Sequence, residues 1–239
     1  MIALAFDTTT DRLSVAGGAE GQSAERSLVG ARMHAAKLFP LIDAVLSELG
    51  VRLDQVEHLA VADGPGSFTG LRVGISAAKA LSRAQPRLSV WAASTLLLRA
   101  AGAAPPHGAR VLVVTSALRG ELYAASYRLD LARAVETLAA PTLATPESLH
   151  RETPDLLVAD APEKLVDRLA DQFAVPIIRG AASLPNATAL LSLLGVPGGA
   201  ERIDALDDWE PRYGRAAEAQ VRWEALHGRA LSDPSRLPR

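Results

Sequence analysis

Residues 64–74 read Gly64-Pro65-Gly66-Ser67-Phe68-Thr69-Gly70-Leu71-Arg72-Val73-Gly74, and this stretch decides how the chain is read. It follows a short apolar run, His58-Leu59-Ala60-Val61-Ala62-Asp63, that has strand character. After it, Leu71, Ile75, Ala78 and Leu81 recur at spacings of four, three and three, one face of a helix. Glycine admits positive φ and close backbone approach, and Gly66 and Gly70 are expected to use positive φ. Ser67 and Thr69 are natural N-cap residues. The stretch therefore predicts a strand, a tight glycine turn and a capped helix N-terminus, a geometry that either cradles an anion or serves the turn alone. Gly70 is followed by Leu71-Arg72 and not by Lys and Ser or Thr, so it is no Walker loop, and G-x-G-x-x-G is absent.

Outward from the loop, strands are predicted at Ile2–Phe6, Leu13–Ala16, His58–Ala62, Leu88–Trp91, Val111–Thr115, Glu121–Tyr127 and Leu156–Ala159. Helices are predicted at Met33–Leu49, Gly70–Ala84, Ser94–Ala101, Pro146–His150, Pro162–Phe173 and Pro185–Leu194. Strands alternating with helices imply an α/β protein with a parallel or mixed sheet. The run Gly102-Ala103-Ala104-Pro105-Pro106-His107-Gly108 reads as a linker. It gives an N-terminal lobe at 1–104, a C-terminal lobe at 109–200 and an extension at 201–239. Each lobe opens on a strand–turn–strand unit, Ile2–Ala16 and Val111–Ala125. Residues 215–230 carry Ala219, Arg222, Trp223 and Leu226 at helical spacing, and 232–239 is expected to fray.

The chain has 239 residues, enough for one or two cores, with 49% hydrophobic residues and net charge −2. That charge provides no broad basic field for nucleic acid. With no cysteine, disulfides, zinc thiolates and a thiol nucleophile are excluded. Met1 leads straight into a strand-like run, and no apolar stretch approaches a membrane span, so a cytoplasmic protein without membrane contact is expected.

The loop from Gly64 to Gly74 resembles the signature of the TsaB (YeaZ) family. So do Met1–Thr10 with an Asp-Thr turn, Arg32–Ile42 as a first helix, Ala117-Leu118-Arg119-Gly120-Glu121-Leu122-Tyr123 as a second-lobe hairpin, and Pro211-Arg212-Tyr213-Gly214-Arg215 near the C-terminus. The resemblance spans the chain up to residue 215. It implies a two-lobed actin-like, ribonuclease H-like fold with mixed sheets flanked by helices. It also implies a role in making threonylcarbamoyladenosine in tRNA, as dimerisation partner of the transferase TsaD, with TsaE joining the complex and tRNA reached only through it. A homodimer is the alternative assembly.

In actin-like ATPases two turns grip the phosphates, each with an Asp for magnesium. Here the first turn offers Asp7, Thr8 and Thr9 as candidate phosphate-binding residues, while Ser116 stands at the expected second Asp. A hydroxyl is neutral and does not anchor the metal as a carboxylate does. Asp7 read by itself is a turn former bonding the N–H of Thr9 or Thr10. TsaD holds a metal with His-x-x-x-His on its first helix; here His34 is followed four residues later by Leu38, so no metal site is expected. No catalytic residue is assigned, and no intrinsic cofactor: ATP or ADP is expected only at the partner interface or within the complex.

On the first helix Leu38, Leu41, Ile42, Val45 and Leu49 make one apolar stripe, with Ala35, Phe39, Ile42 and Leu46 beside it, more than one core face requires. Pro40 inside it predicts a kink or the start of a second segment. The expected partner interface is His34, Leu38, Leu41, Ile42 and Val45 with Arg72, Ile75 and Lys79 of the next helix. Arg72, Ser76, Lys79 and Arg83 form a polar stripe that reads as a solvated face. The competing readings are a stand-alone ATP- or metal-dependent transferase or peptidase, and a nucleotide sensor that keeps Asp7 and the loop.

Overall fold

The structure, a computed structural model, describes residues 1–19, 21–30, 33–117, 121–151 and 153–214. The expected helix at 215–230, the terminal stretch 232–239, and Arg32, Leu118, Arg119, Gly120 and Arg215 of the family-like motifs lie outside the described residues.

The first half runs β1 (Ala3–Asp7), β2 (Arg12–Ala19), β3 (Gln22–Val29), α1 (His34–Glu48), β4 (His58–Ala62), α2 (Phe68–Ala84), β5 (Ser89–Ala93) and α3 (Thr95–Gly102). The second runs β6 (Ala109–Ser116), β7 (Leu122–Asp130), β8 (Ala134–Ala144), β9 (Leu156–Asp160), α4 (Glu163–Phe173), β10 (Ile177–Arg179), α5 (Ala187–Leu193) and β11 (Glu201–Arg202). The two sheets have the same topology, β3-β2-β1-β4-β5 and β8-β7-β6-β9-β10, with β11 added beside β5. In each, the first three strands are antiparallel neighbours and the first, fourth and fifth run parallel. The register repeats too: Ala5 pairs with Ala16 and Ala60, and Val113 pairs with Ala125 and Val158. The strand–turn–strand repeat in the sequence is the visible part of this duplication.

Side-chain alternation builds five layers. On β1, Leu4 and Phe6 face one apolar cluster with Leu38, Ile42 and Val45 of α1 and Ile75, Ala78 and Leu81 of α2. Ala5 faces the opposite way, into a central cluster with α3 and α5. Ala16, Ala60 and Ala62 continue this face. Small side chains there let the central helices approach the sheet closely. From the other side Val111, Val113, Tyr127 and Val158 of the second sheet close the same cluster. Leu112, Val114, Leu157 and Ala159 point away from it, toward Val166 and Leu169 of α4. Sheets covered on both faces in this way explain the near-continuous apolar runs of β1, β4, β6 and β9.

Three features differ from the sequence reading. The strands β3 and β8 were not legible, because edge strands open to solvent lose the apolar alternation that marks a half-buried strand. Pro40 does not break α1: the helix is continuous from His34 to Glu48, and the proline lies on its exposed side, where water can serve the carbonyl left without a donor. The predicted second lobe does not stay to itself, since α5 packs on β1 and β2 and β11 extends the first sheet.

Candidate functional site

The glycine loop and the turn after β1 form one unit. Asp7 is fully buried, and its Oδ1 accepts hydrogen bonds from the Thr9 N–H at 3.1 Å and the Thr9 hydroxyl at 2.7 Å. Burial pushes the Asp7 carboxyl up, opposed by the Thr9 bonds and then by the charges of Arg99 and His34. Thr8 Oγ1 donates to the Gly70 carbonyl at 2.8 Å, and the Ser67 N–H donates to the Thr9 carbonyl at 2.7 Å. A Cβ on Gly66 would collide with the Thr9 carbonyl, one on Gly70 with the Thr8 carbonyl, and one on Gly74 would lie 2.5 Å from Thr8 Oγ1. The expected positive φ is absent at Gly66 and Gly70; these positions need glycine because another piece of backbone occupies the space. Gly64 alone in the loop has φ of +121°, and its Cβ would meet the Arg212 carbonyl. The Gly64–Pro65 peptide is cis. Ser67 caps α2, its Oγ accepting from the Gly70 N–H at 3.2 Å.

Residues 203–214 return along α2 and strap the loop down. The Arg212 N–H donates to the Asp63 carbonyl at 2.8 Å, and Arg212 Nε lies 3.1 Å from Oδ2 of the fully buried Asp63. Burial pushes the Asp63 carboxyl up, with the Arg212 charge and the Trp209 side chain opposing. Tyr213 stacks on Phe68 at 4.8 Å between ring centroids, and the Arg72 guanidinium sits 5.4 Å from the Phe68 centroid. Lys79 reaches the Asp207 carbonyl at 3.3 Å and Arg83 the Asp207 carboxylate at 2.7 Å. The polar stripe of α2, expected to face water only, is the dock for this strap.

Between the lobes, Arg99 of α3 is buried. It donates to Asp160 Oδ2 at the end of β9 at 2.8 Å and to the Ser183 carbonyl at 2.7 Å. Tyr123 Oη donates to the Tyr213 carbonyl at 3.3 Å. Burial of Tyr127 pushes its phenol up to about 12. No local motif marks Asp63, Arg99, Asp160 or Tyr127 as a site residue: Arg212 reaches Asp63 from the C-terminal segment, and Asp160 meets Arg99 across 61 residues. Pro211-Arg212-Tyr213 is the one signal visible in the sequence.

The expected second phosphate residue shifts by one position. Ala5 and Val113 share the inward face, so alternation places Thr115, and not Ser116, opposite Asp7 in the duplicated unit. Ser116 is exposed and donates to the Ala117 carbonyl at 3.1 Å. Neither residue carries a carboxylate. His34 is buried rather than at the surface, its Nε2 without a hydrogen-bond partner among the described residues, and Leu38 is 1% exposed. Among the described residues no group of three His, Cys, Asp or Glu could hold a metal ion.

The expected partner interface is divided by burial. Leu38, Ile42, Val45 and Ile75 are core residues of the first lobe and present no surface while α1 and α2 stay docked, so they are corrected to structural positions. Leu41 and Lys79 are half-buried and Arg72 is exposed. The exposed large apolar side chains of this region are Met33, Phe39 and Phe68, at 41%, 44% and 45% exposure. The start of α2 lies beside the Asp7–Thr9 turn, where the Ser67 N–H bonds the Thr9 carbonyl.

A family model described as TsaD: tRNA N6-adenosine threonylcarbamoyltransferase matches residues 28–186. The Escherichia coli K12 protein named tRNA threonylcarbamoyladenosine biosynthesis protein TsaB is 38% identical over 128 residues, 53% of this chain and 55% of that protein. The match thus spans about half of that relative's length. A Pseudomonas aeruginosa crystal structure, titled as an uncharacterized protein with similarity to peptidase YEAZ, superposes with TM-score 0.74 at 30% identity over 90% of this chain and 99% of that one. A second, titled YeaZ from Pseudomonas aeruginosa, gives TM-score 0.70 at 32% identity over 81% and 90%. With the duplicated mixed sheets and the strapped glycine loop, these matches mean that the chain belongs to the TsaB (YeaZ) family, with its actin-like fold.

Proposed function

We propose that this chain acts in threonylcarbamoyladenosine synthesis on tRNA as a non-catalytic scaffold, the dimerisation partner of TsaD, with TsaE joining the complex. The observation that carries this reading is the occupancy of the glycine loop by the chain's own backbone. Thr8, Thr9 and Arg212 carbonyls fill the hollows above Gly70, Gly66 and Gly64, where an anion cradle would need free N–H groups and open space. Asp7 spends one carboxylate oxygen on Thr9. ATP or ADP then binds only at the partner interface or within the complex, tRNA is reached through the complex, and a homodimer forms when TsaD is absent. The partner surface draws on the exposed side chains of α1 and α2 and the residue before α1, Met33, Phe39, Phe68 and Arg72. The test is co-purification with TsaD, with and without ATP, beside steady-state ATPase and transfer assays on the isolated chain. The expected result is a stable pair and background turnover; turnover that scales with protein and disappears in Asp7→Ala would replace the scaffold reading with an enzyme.

A further inference from the structure

We propose that Arg99 and the 203–214 strap are two internal latches that fix the angle between the lobes without any ligand, so that the chain meets its partners as one rigid body. The proposal extends the scaffold reading without depending on it.

The Arg99 side chain is 3% exposed, and its two hydrogen bonds both go to the second lobe, to Asp160 and to the Ser183 carbonyl. The guanidinium, carried by α3 of the first lobe, therefore lies in the seam and is held by the second. A hinge opening would strip a buried cation of its partners before water could replace them, and this makes the closed arrangement self-sustaining.

The strap crosses the same seam elsewhere. Arg212 ties it to Asp63, and Lys79 and Arg83 tie it to α2, all in the first lobe. In the next two residues it reaches β7 of the second lobe: Tyr123 Oη donates to the Tyr213 carbonyl, and a Cβ on Gly214 would lie 2.6 Å from the Tyr123 ring. The shared apolar cluster of α3 and α5 fills the space between the latches. In a two-lobed protein whose halves close around a ligand, the seam is where ligand charge would sit; here side chains of the chain itself supply the charge balance.

Hydrogen exchange on the full chain tests this, read in peptides covering Thr95–Gly102 and Leu122–Asp130 against β1 as reference. Wild type should exchange slowly in both seam peptides, with no change on adding magnesium-ATP. Arg99→Met should speed exchange there at least about tenfold, as removal of a buried charge pair implies, while β1 keeps its protection. Asp160→Ala, at a carboxylate that is 43% exposed, gives the same reading if Arg99→Met does not fold. Seam exchange unchanged in Asp160→Ala, or raised uniformly across the chain, would overturn the latch. So would a change in wild-type seam exchange on adding magnesium-ATP. Loss of TsaD binding with the seam still protected would reject the scaffold reading and leave the latch standing.

Discussion

Thr8 and Gly70 hold each other twice. The Thr8 hydroxyl donates to the Gly70 carbonyl at 2.8 Å, and the Thr8 carbonyl occupies the space a Gly70 Cβ would need. The first strand's turn and the start of α2 are thereby fixed as one piece.

Gly70→Val and Gly66→Val should each lower stability by about 3 kcal/mol or more, because backbone on the opposing side cannot move aside as a flexible side chain would. Ser67→Ala should cost only about 1 kcal/mol, the worth of a cap. Urea denaturation of the three variants checks the ranking. A Ser67→Ala chain that folds and binds TsaD but abolishes tRNA modification by the complex would instead make the loop a chemical site.

Arg212→Ala should destabilise by about 1–3 kcal/mol near neutral pH, since it leaves the buried Asp63 carboxylate without its cation. The Asp63 pKa is raised in the fold, so the native state holds its proton more tightly than the unfolded chain. The stability this group contributes is present below its unfolded value and is lost as pH rises through the folded one. The gap between Arg212→Ala and wild type should therefore narrow on acidification. Denaturant midpoints at neutral and mildly acidic pH measure it, and a gap independent of pH would disconnect Arg212 from Asp63.

Tyr127 should titrate late. With its pKa pushed up to about 12 by burial, it ionises after the unfolded-state value of 10 has been passed. It stabilises the fold below pH 10 and loses that contribution as pH climbs toward 12. Ultraviolet titration should show a delayed component that shrinks by one phenol in Tyr127→Phe.

On α1, neighbouring positions should behave oppositely. Leu38→Glu places a charge in the first lobe's core and should abolish folding. Phe39→Glu changes an exposed ring, should leave the melting temperature within a few degrees, and should weaken TsaD pull-down and any homodimer by light scattering. A folded Phe39→Glu chain with unchanged assembly would move the partner surface elsewhere.

The sequence by itself determined the inner strands, the α-helices and the strand–turn–strand unit that opens each sheet. Apolar periodicity and turn chemistry are local, and β1, β4, β6 and β9, covered on both faces, display them strongly. It also exposed the glycine loop, whose composition marks either an anion cradle or a tight approach. Only the tertiary structure decided what approaches. The carbonyls of Thr8, Thr9 and Arg212 come from up to 148 residues away in sequence (Gly64 to Arg212), and no local pattern encodes a contact across that distance. The same holds for the choice between core and surface on α1. Two apolar stripes are legible in the sequence, but whether Leu38 or Phe39 faces the sheet depends on how the whole helix docks, and packing against Leu4 and Phe6 settles it.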